Sequence, residues 1–340
     1  MGAKMNNPWN SERPWDVENI WVKSEPIMNS MTEKRTGDPG EPWRDYICRK
    51  FMWPALSNWT ARVKPEQKAH AHRFVTSKPT DRYRCLVLGS TEAAVEKALW
   101  DWGFTGEIIV SEVADKALSR TKALAESTGH DNTRFLLADL NTHRFDGNFD
   151  YIIANGVLHH IQNIEWCIEG LATCLAPNGL IIASEYTGPF RFQMPRTQVE
   201  WINAVLALAP ACVRLNSKND VDVGPCSPAE HWARPYTPPT ENQMMGIDPT
   251  EAVGGYILDD LFRRHFEIVQ YSQLGGTLTT YLHDHIDYRK TNDGPGRAWM
   301  EAVIALEERL IASGTLNCDF TFYVGEAKKS AREGSCLIGR

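Results

Sequence analysis

The sequence predicts an α/β fold built on an open, mostly parallel sheet with helices on both faces. The first ground is alternation. Short apolar runs, Cys85-Leu86-Val87-Leu88, Ile108-Ile109-Val110, Phe135-Leu136-Leu137-Ala138, Tyr151-Ile152-Ile153-Ala154 and Leu180-Ile181-Ile182-Ala183, are separated by amphipathic stretches. That pattern is made by parallel strands joined through crossover helices. The second ground is the group at the end of each of the first four runs: Gly89-Ser90-Thr91-Glu92, then Ser111-Glu112, then Asp139, then Asn155-Gly156-Val157-Leu158-His159-His160. In such sheets ligands bind beyond the carboxyl ends of the strands, near the switch in strand order.

The elements can be taken in order. Residues 1–80 are an N-terminal extension rich in Trp and Pro, with a short amphipathic helix from Trp43 to Trp53, and read either as a packed extension or as a helical cap over the crevice. Residues 81–189 form the alternating core. Its strands are 84–88, 107–111, 134–138, 149–154 and 180–184, and its helices are 92–103, 115–128 and 164–175, the last stopped by Pro177-Asn178-Gly179. Residues 190–255 break the alternation. They hold a helix near 196–208 and a proline-rich stretch, and read as a lid or substrate insertion, a loop instead of a packed layer. Asp248-Pro249 is expected to open a helix, with Asp248 as its cap. Residues 256–326 complete the sheet, with strands at 266–271 and 319–326 and a helix at 299–312, and 327–340 is a polar tail.

Composition narrows the function. Of 340 residues, 42% are hydrophobic, enough for a sizeable core. A net charge of −7 without a basic tract argues against nucleic acid as partner. No apolar run approaches the roughly 20 residues that span a bilayer, and the N-terminus lacks a secretory segment. The eight cysteines form no Cys-x-x-Cys pair and read as reduced thiols in a cytoplasmic protein. His70/His72, His159/His160 and His283/His285 are close pairs, but no Cys or carboxylate cluster accompanies them in sequence, so no metal is expected.

A glycine turn at a helix N-terminus suits a nucleotide-like ligand. Glu112 stands roughly 20 residues beyond Gly89, where an acid accepts the two hydroxyl protons of a ribose. Asp139 can accept from an adenine amine, with the Leu140 N–H meeting a ring nitrogen. Dehydrogenases share the first two features, and either acid taken singly could be a turn or capping residue.

These residues carry a resemblance. Arg84 to Pro189 resembles the core of the class I S-adenosylmethionine-dependent methyltransferases: Gly89-Ser90-Thr91-Glu92-Ala93 stands at the family's Gly-x-Gly-x-Gly turn, and Glu112 and Asp139 stand at its two acids. Asn155-Gly156-Val157-Leu158-His159-His160 is similar to its Asn-x-x-Leu-His-His loop. Glu185-Tyr186-Thr187-Gly188-Pro189-Phe190-Arg191-Phe192-Gln193 resembles a subgroup's Glu-Tyr-x-Gly-Pro-x-Arg-Phe-Gln, as do Asp248-Pro249-Thr250-Glu251 and Leu274-Gly275-Gly276. The departure is Thr91 and Ala93 at the second and third glycines, so that either the turn is remodelled or cofactor binding is weakened. The resemblance implies a Rossmann-like, mostly parallel sheet of about seven strands and S-adenosylmethionine as cofactor. It implies a cofactor site of Gly89, Ser90, Thr91, Glu112, Val113, Asp139, Leu140, Asn155 and Gly156.

The expected activity is methyl transfer to an oxygen, nitrogen or sulfur of a small polar metabolite, carboxylate-bearing or sugar-like, by a chain whose homodimerisation is left open. His160, as a base, with Glu185, Tyr186 and Arg191, form the expected catalytic set. Two other readings stand beside it. One is a non-catalytic protein that binds S-adenosylmethionine or S-adenosylhomocysteine. The other is a nucleotide-dependent oxidoreductase, disfavoured because no Gly-x-Gly-x-x-Gly comes after the first strand.

Overall fold

The structure is a computed structural model, and it describes residues 83–90, 93–101, 104–214, 235–282, 285–291 and 293–328. The expected N-terminal cap, Thr91 and most of the polar tail lie outside these residues. In chain order the main elements are β1 (Arg84–Leu88), α1 (Ala94–Asp101), β2 (Glu107–Glu112), α2 (Asp115–Thr128), β3 (Thr133–Leu137), β4 (Phe149–Asn155), α3 (Ile164–Cys174), β5 (Leu175–Tyr186), α4 (Arg196–Ala207), α5 (Glu241–Ile247), α6 (Leu258–His265), β6 (Phe266–Gly275), α7 (Gly294–Ala312) and β7 (Phe320–Ala327).

The strands form one seven-stranded sheet in the order β3-β2-β1-β4-β5-β7-β6. β1 to β5 are parallel neighbours, whereas β7 runs antiparallel to both β5 and β6. The strand order switches between β1 and β4, so the crevice opens there. The central strands are apolar on both sides because both faces are covered. Leu86, Leu88, Ile152, Ala154, Ile181 and Ala183 pack against α3 and α6, through Ile164, Ile168, Leu171, Leu261 and Phe262. The alternate residues Cys85, Val87, Tyr151, Ile153, Leu180 and Ile182 pack against α1 and α2, through Val95, Leu99 and Leu118. Period-two alternation along each strand thus divides the core into two layers.

Two expectations are corrected here. Asp248 does not open a helix. It closes α5 as the C-cap residue, and its carboxylate accepts from the Thr250 N–H at 2.8 Å and the Thr250 hydroxyl at 2.7 Å. Asp prefers such local backbone bonds, and here they make a turn. The insertion is also not all loop. α4 packs Ile202, Val205 and Leu206 against Leu278, Leu282 and α7 residues Trp299, Met300 and Val303, in a third apolar cluster. Residues 215–234 of the insertion lie outside the described residues.

Candidate functional site

The parallel register brings the predicted acids and glycines to one edge of the sheet. Leu88 pairs with Ser111 on one side and Ala154 on the other, and Glu112 pairs with Leu137. The chain leaves β1 through Gly89, whose φ of 72° lies in the left-handed region that a Cβ disfavours. A Cβ there would also meet the Val157 side chain at 3.0 Å. Ala93 likewise sits at a φ of 54°, so the alanine at the third glycine position keeps a glycine-like backbone.

Glu112 is buried and holds this turn together. Its Oε2 accepts from the Ser90 N–H at 2.7 Å, and its Oε1 from the N–H groups of Val113 and Ala114 at 2.8 and 2.9 Å. A carboxylate has about four acceptor positions. The backbone fills three of them, which leaves one acceptor position. Ser90 is corrected as well: its hydroxyl shares a hydrogen bond with Thr121 at 2.9 Å in the interior, so its part at the site is through the backbone. Burial pushes the carboxyl of Glu96, on α1, up to about 7.

Asp139 lies just past β3, half-buried, with Oδ1 accepting from the backbone and side-chain N–H groups of Asn141. Asn141 in turn accepts, through Oδ1, from the N–H groups of Gln162 and Asn163, which ties the β3 turn to the segment after β4. Asn141 had no signal in the sequence. Leu140 is buried, Val113 is half-buried, and Asn155 and Gly156 are exposed at the tip of β4. Gly156, at a φ of 66°, donates to Ser184 O at 2.9 Å.

The second half of the site is built on Glu185, near the end of β5. Its side chain is fully enclosed. Oε1 accepts from the N–H groups of Val157 and Leu158 at 3.0 and 2.9 Å, and Oε2 lies 2.9 Å from Nδ1 of His159. Glu185 therefore does not reach a substrate. It positions the loop after β4 and fixes the His159 ring, because a carboxylate only accepts and Nδ1 must donate. His159 Nε2 faces Glu251 Oε1 at 3.5 Å, and His160 Nε2 faces Glu251 Oε2 at 3.9 Å. His160 Nδ1 lies 3.1 Å from the Thr250 hydroxyl, whose proton goes to Asp248. Gly254 N–H donates to His159 O at 2.9 Å, pinning the Asp248–Gly254 turn against the histidines.

The electrostatics of the two histidines diverge. Burial disfavours charge on His159, but the bond to Glu185 and the charges of Glu251, Glu185 and Asp248 outweigh it, so its pKa is raised. Burial, reinforced by His159 itself, lowers the pKa of His160.

Tyr186 and Arg191 are corrected too. Tyr186 is buried, its hydroxyl donates to Pro189 O at 2.9 Å, and burial raises its pKa far above the tyrosine range, so it is a wall of the site and not an acid or base. It packs edge-on to Phe192, which packs edge-on to Tyr281. Arg191 is buried, with Nη2 donating to Pro249 O and its backbone N–H to Ala252 O. It braces the turn that carries Glu251. Its Nη1 has no hydrogen-bond partner among the described residues. Both Arg191 and Phe192 hold positive φ, a costly conformation for residues with a Cβ and one that clusters at functional sites.

Residues 89–181 match the family model described as a methyltransferase domain. No curated protein matches the sequence. Among solved structures the chain is similar to an S-adenosylmethionine-dependent methyltransferase from Mesorhizobium loti, at 15% identity over 77% of this chain and 98% of that one, with a TM-score of 0.40. It is similar to phosphoethanolamine N-methyltransferase 2 from Haemonchus contortus, at 13% identity over 83% of this chain and 60% of that one, with a TM-score of 0.43. It is also similar to the [4+2]-cyclase SpnF, at 12% identity over 91% and 95% of the two chains, with a TM-score of 0.45. Likenesses this distant assign no residue a role. The family match spans the segment that bears the glycine turn, both acids and the β4 loop, and that segment, residues 89–181, carries a methyltransferase domain.

Proposed function

We propose that this methyltransferase acts on a small polar metabolite that bears a carboxylate or sugar-like hydroxyls. The carrying observation is the enclosed polar cluster of His159, His160 and Glu251 beside the same sheet edge as Gly89 and Glu112. The residues present suit the cofactor. Gly89 lets a ligand approach the backbone, Glu112 has one acceptor position left for a ribose hydroxyl, and Asp139 stands where an adenine amine would be met. Val113 and Leu140 would flank the adenosine, and Asn155 and Gly156 the amino-acid end. When bound, S-adenosylmethionine supplies a methyl made electrophilic by its sulfonium.

The work of the chain is then to bind, orient and exclude water, since in-line approach contributes more than covalent help. His160 and Glu251 offer polar contacts to the acceptor atom. Tyr186, Phe192 and Tyr281 form an apolar wall that keeps water out. The test is calorimetry with S-adenosylhomocysteine, then a screen of polar metabolites for labelled methyl transfer. Glu112→Ala should raise the S-adenosylhomocysteine Kd about 10- to 100-fold, the loss of a hydrogen bond to a charged acceptor. A wild-type chain with no response at millimolar ligand would refute the cofactor assignment. A binding chain that labels no metabolite would favour the non-catalytic alternative.

A further inference from the structure

We propose that His159, His160 and Glu251 form a binding site for one divalent first-row transition metal ion. The sequence argued against a metal because no carboxylate lies near the histidine pair. The fold supplies one from a distant turn. One ligand atom from each of the three residues falls within a set spanning no more than 4.8 Å, with Glu251 3.5 Å from His159 Nε2 and 3.9 Å from His160 Nε2. Metal–ligand bonds of about 2.0–2.2 Å place neighbouring ligand atoms about 3.0–3.5 Å apart. The first pair already meets that spacing, and the others need only a small inward shift of side chains.

The surroundings of the cluster are those of a ligand set. Each Nδ1 is engaged by an oxygen behind the ring: Glu185 Oε2 at 2.9 Å for His159, and the Thr250 hydroxyl at 3.1 Å for His160. Thr250 spends its own proton on Asp248, so it accepts from His160. Both rings thus turn Nε2 toward Glu251, and carboxylate or hydroxyl partners on Nδ1 are what orient metal-bound histidines. With Nδ1 donating to Glu185, a His159 ring that gives up its Nε2 proton presents a lone pair 3.5 Å from Glu251 Oε1, and a metal ion between them takes the place of that proton. Glu185, Asp248 and Glu251 converge on the two imidazoles, and that excess of carboxylate is balanced by a divalent ion. Two imidazoles and one carboxylate favour Zn²⁺, Mn²⁺, Fe²⁺, Co²⁺ or Ni²⁺ over Mg²⁺ and Ca²⁺. Three protein ligands also leave coordination positions for water or an acceptor oxygen. The site does not depend on the acceptor proposed above, nor on catalysis.

The test uses the full-length chain, stripped with chelator and titrated with Zn²⁺ and with Co²⁺ by calorimetry, with visible absorption read for Co²⁺. One equivalent per chain is expected, with d–d bands that require nitrogen and oxygen ligands from the protein. Glu251→Gln keeps the side-chain volume and should raise Kd by at least about tenfold, as should His160→Ala. Thr250→Val should weaken binding less, and Thr250→Ser should restore it. His265→Ala, outside the cluster, should change nothing. Circular dichroism confirms that each variant is folded. Absence of binding by the wild-type chain overturns the proposal and leaves a shared proton between His159 and Glu251. Binding that survives Glu251→Gln and His160→Ala unchanged also overturns it, and places the ion elsewhere. S-adenosylhomocysteine affinity, measured on the same samples, reports separately on the methyltransferase function.

Discussion

Replacing Glu185 with Gln probes the link between the end of β5 and the loop after β4. The carboxylate takes two backbone N–H bonds on Oε1, from Val157 and Leu158, and on Oε2 the His159 ring at 2.9 Å with a longer contact from the His159 N–H at 3.4 Å. In Glu185→Gln the amide oxygen can keep Val157 and Leu158, each weakened from a charge-assisted to a neutral bond by about 1 kcal/mol. The amide NH₂ then faces the donor at Nδ1. Either that bond, worth about 1.5–3 kcal/mol, is lost, or the ring proton moves to Nε2 and part is recovered. The expected loss of stability is about 2–5 kcal/mol, and at about 1.4 °C per kcal/mol for a chain of 340 residues Tm falls by about 3–7 °C. Urea titration and calorimetry measure it. S-adenosylhomocysteine affinity should change less than about threefold, because the bonds of Glu185 go to Val157, Leu158 and His159 and not to the residues proposed to hold the cofactor. A stability loss under about 0.5 kcal/mol would refute the role of Glu185 as the acceptor that holds the loop.

Three further outcomes are expected. Glu307→Ala removes the acceptor for the N–H groups of Gly276, Leu278 and Thr279, at 2.9, 2.7 and 2.9 Å, and denaturant titration should show a loss of about 4 kcal/mol. Asp319 is buried, and burial lifts its carboxyl from 3.8 to about 7 despite bonds from Tyr281 and Gln198. Its folded pKa exceeds its unfolded one, so its contribution is full below about 4 and is lost as pH rises to about 7, at up to about 1.4 kcal/mol per pH unit. Asp319→Asn should therefore gain on the wild type in melts at pH 8 relative to pH 5, and parallel pH profiles would contradict this. Gly254→Ala would drive a Cβ into the carbonyl oxygen of Ile161 and should cost about 1–3 kcal/mol in thermal melts while S-adenosylhomocysteine binding persists. An unchanged Tm would show that this turn is not clamped to the histidine loop.

The sheet and the edge at which its strands end were legible in the order of residues alone. β1 and α2 fall on the expected residues, and β2, β3 and β4 fall within a residue or two, because apolar runs and helical periodicity are local signals that burial on both faces enforces. Gly89, Glu112, Asp139 and Asn155-Gly156 stood out for the same reason: each terminates a strand, and parallel strands deliver their ends to one edge. The task of each side chain there was settled by long-range packing. Glu185 and Arg191 read as reactive groups, yet each is turned inward to hold backbone, since a buried charge needs partners that only a distant segment can provide. Asp248 read as the start of a helix, and its neighbour Thr250 instead drew it into a turn. The meeting of Glu251 with His159 and His160 spans about 90 residues of chain. No spacing rule reports it, because α6 must first pack on α3, and Gly254 on His159 O, before that carboxylate reaches the imidazoles.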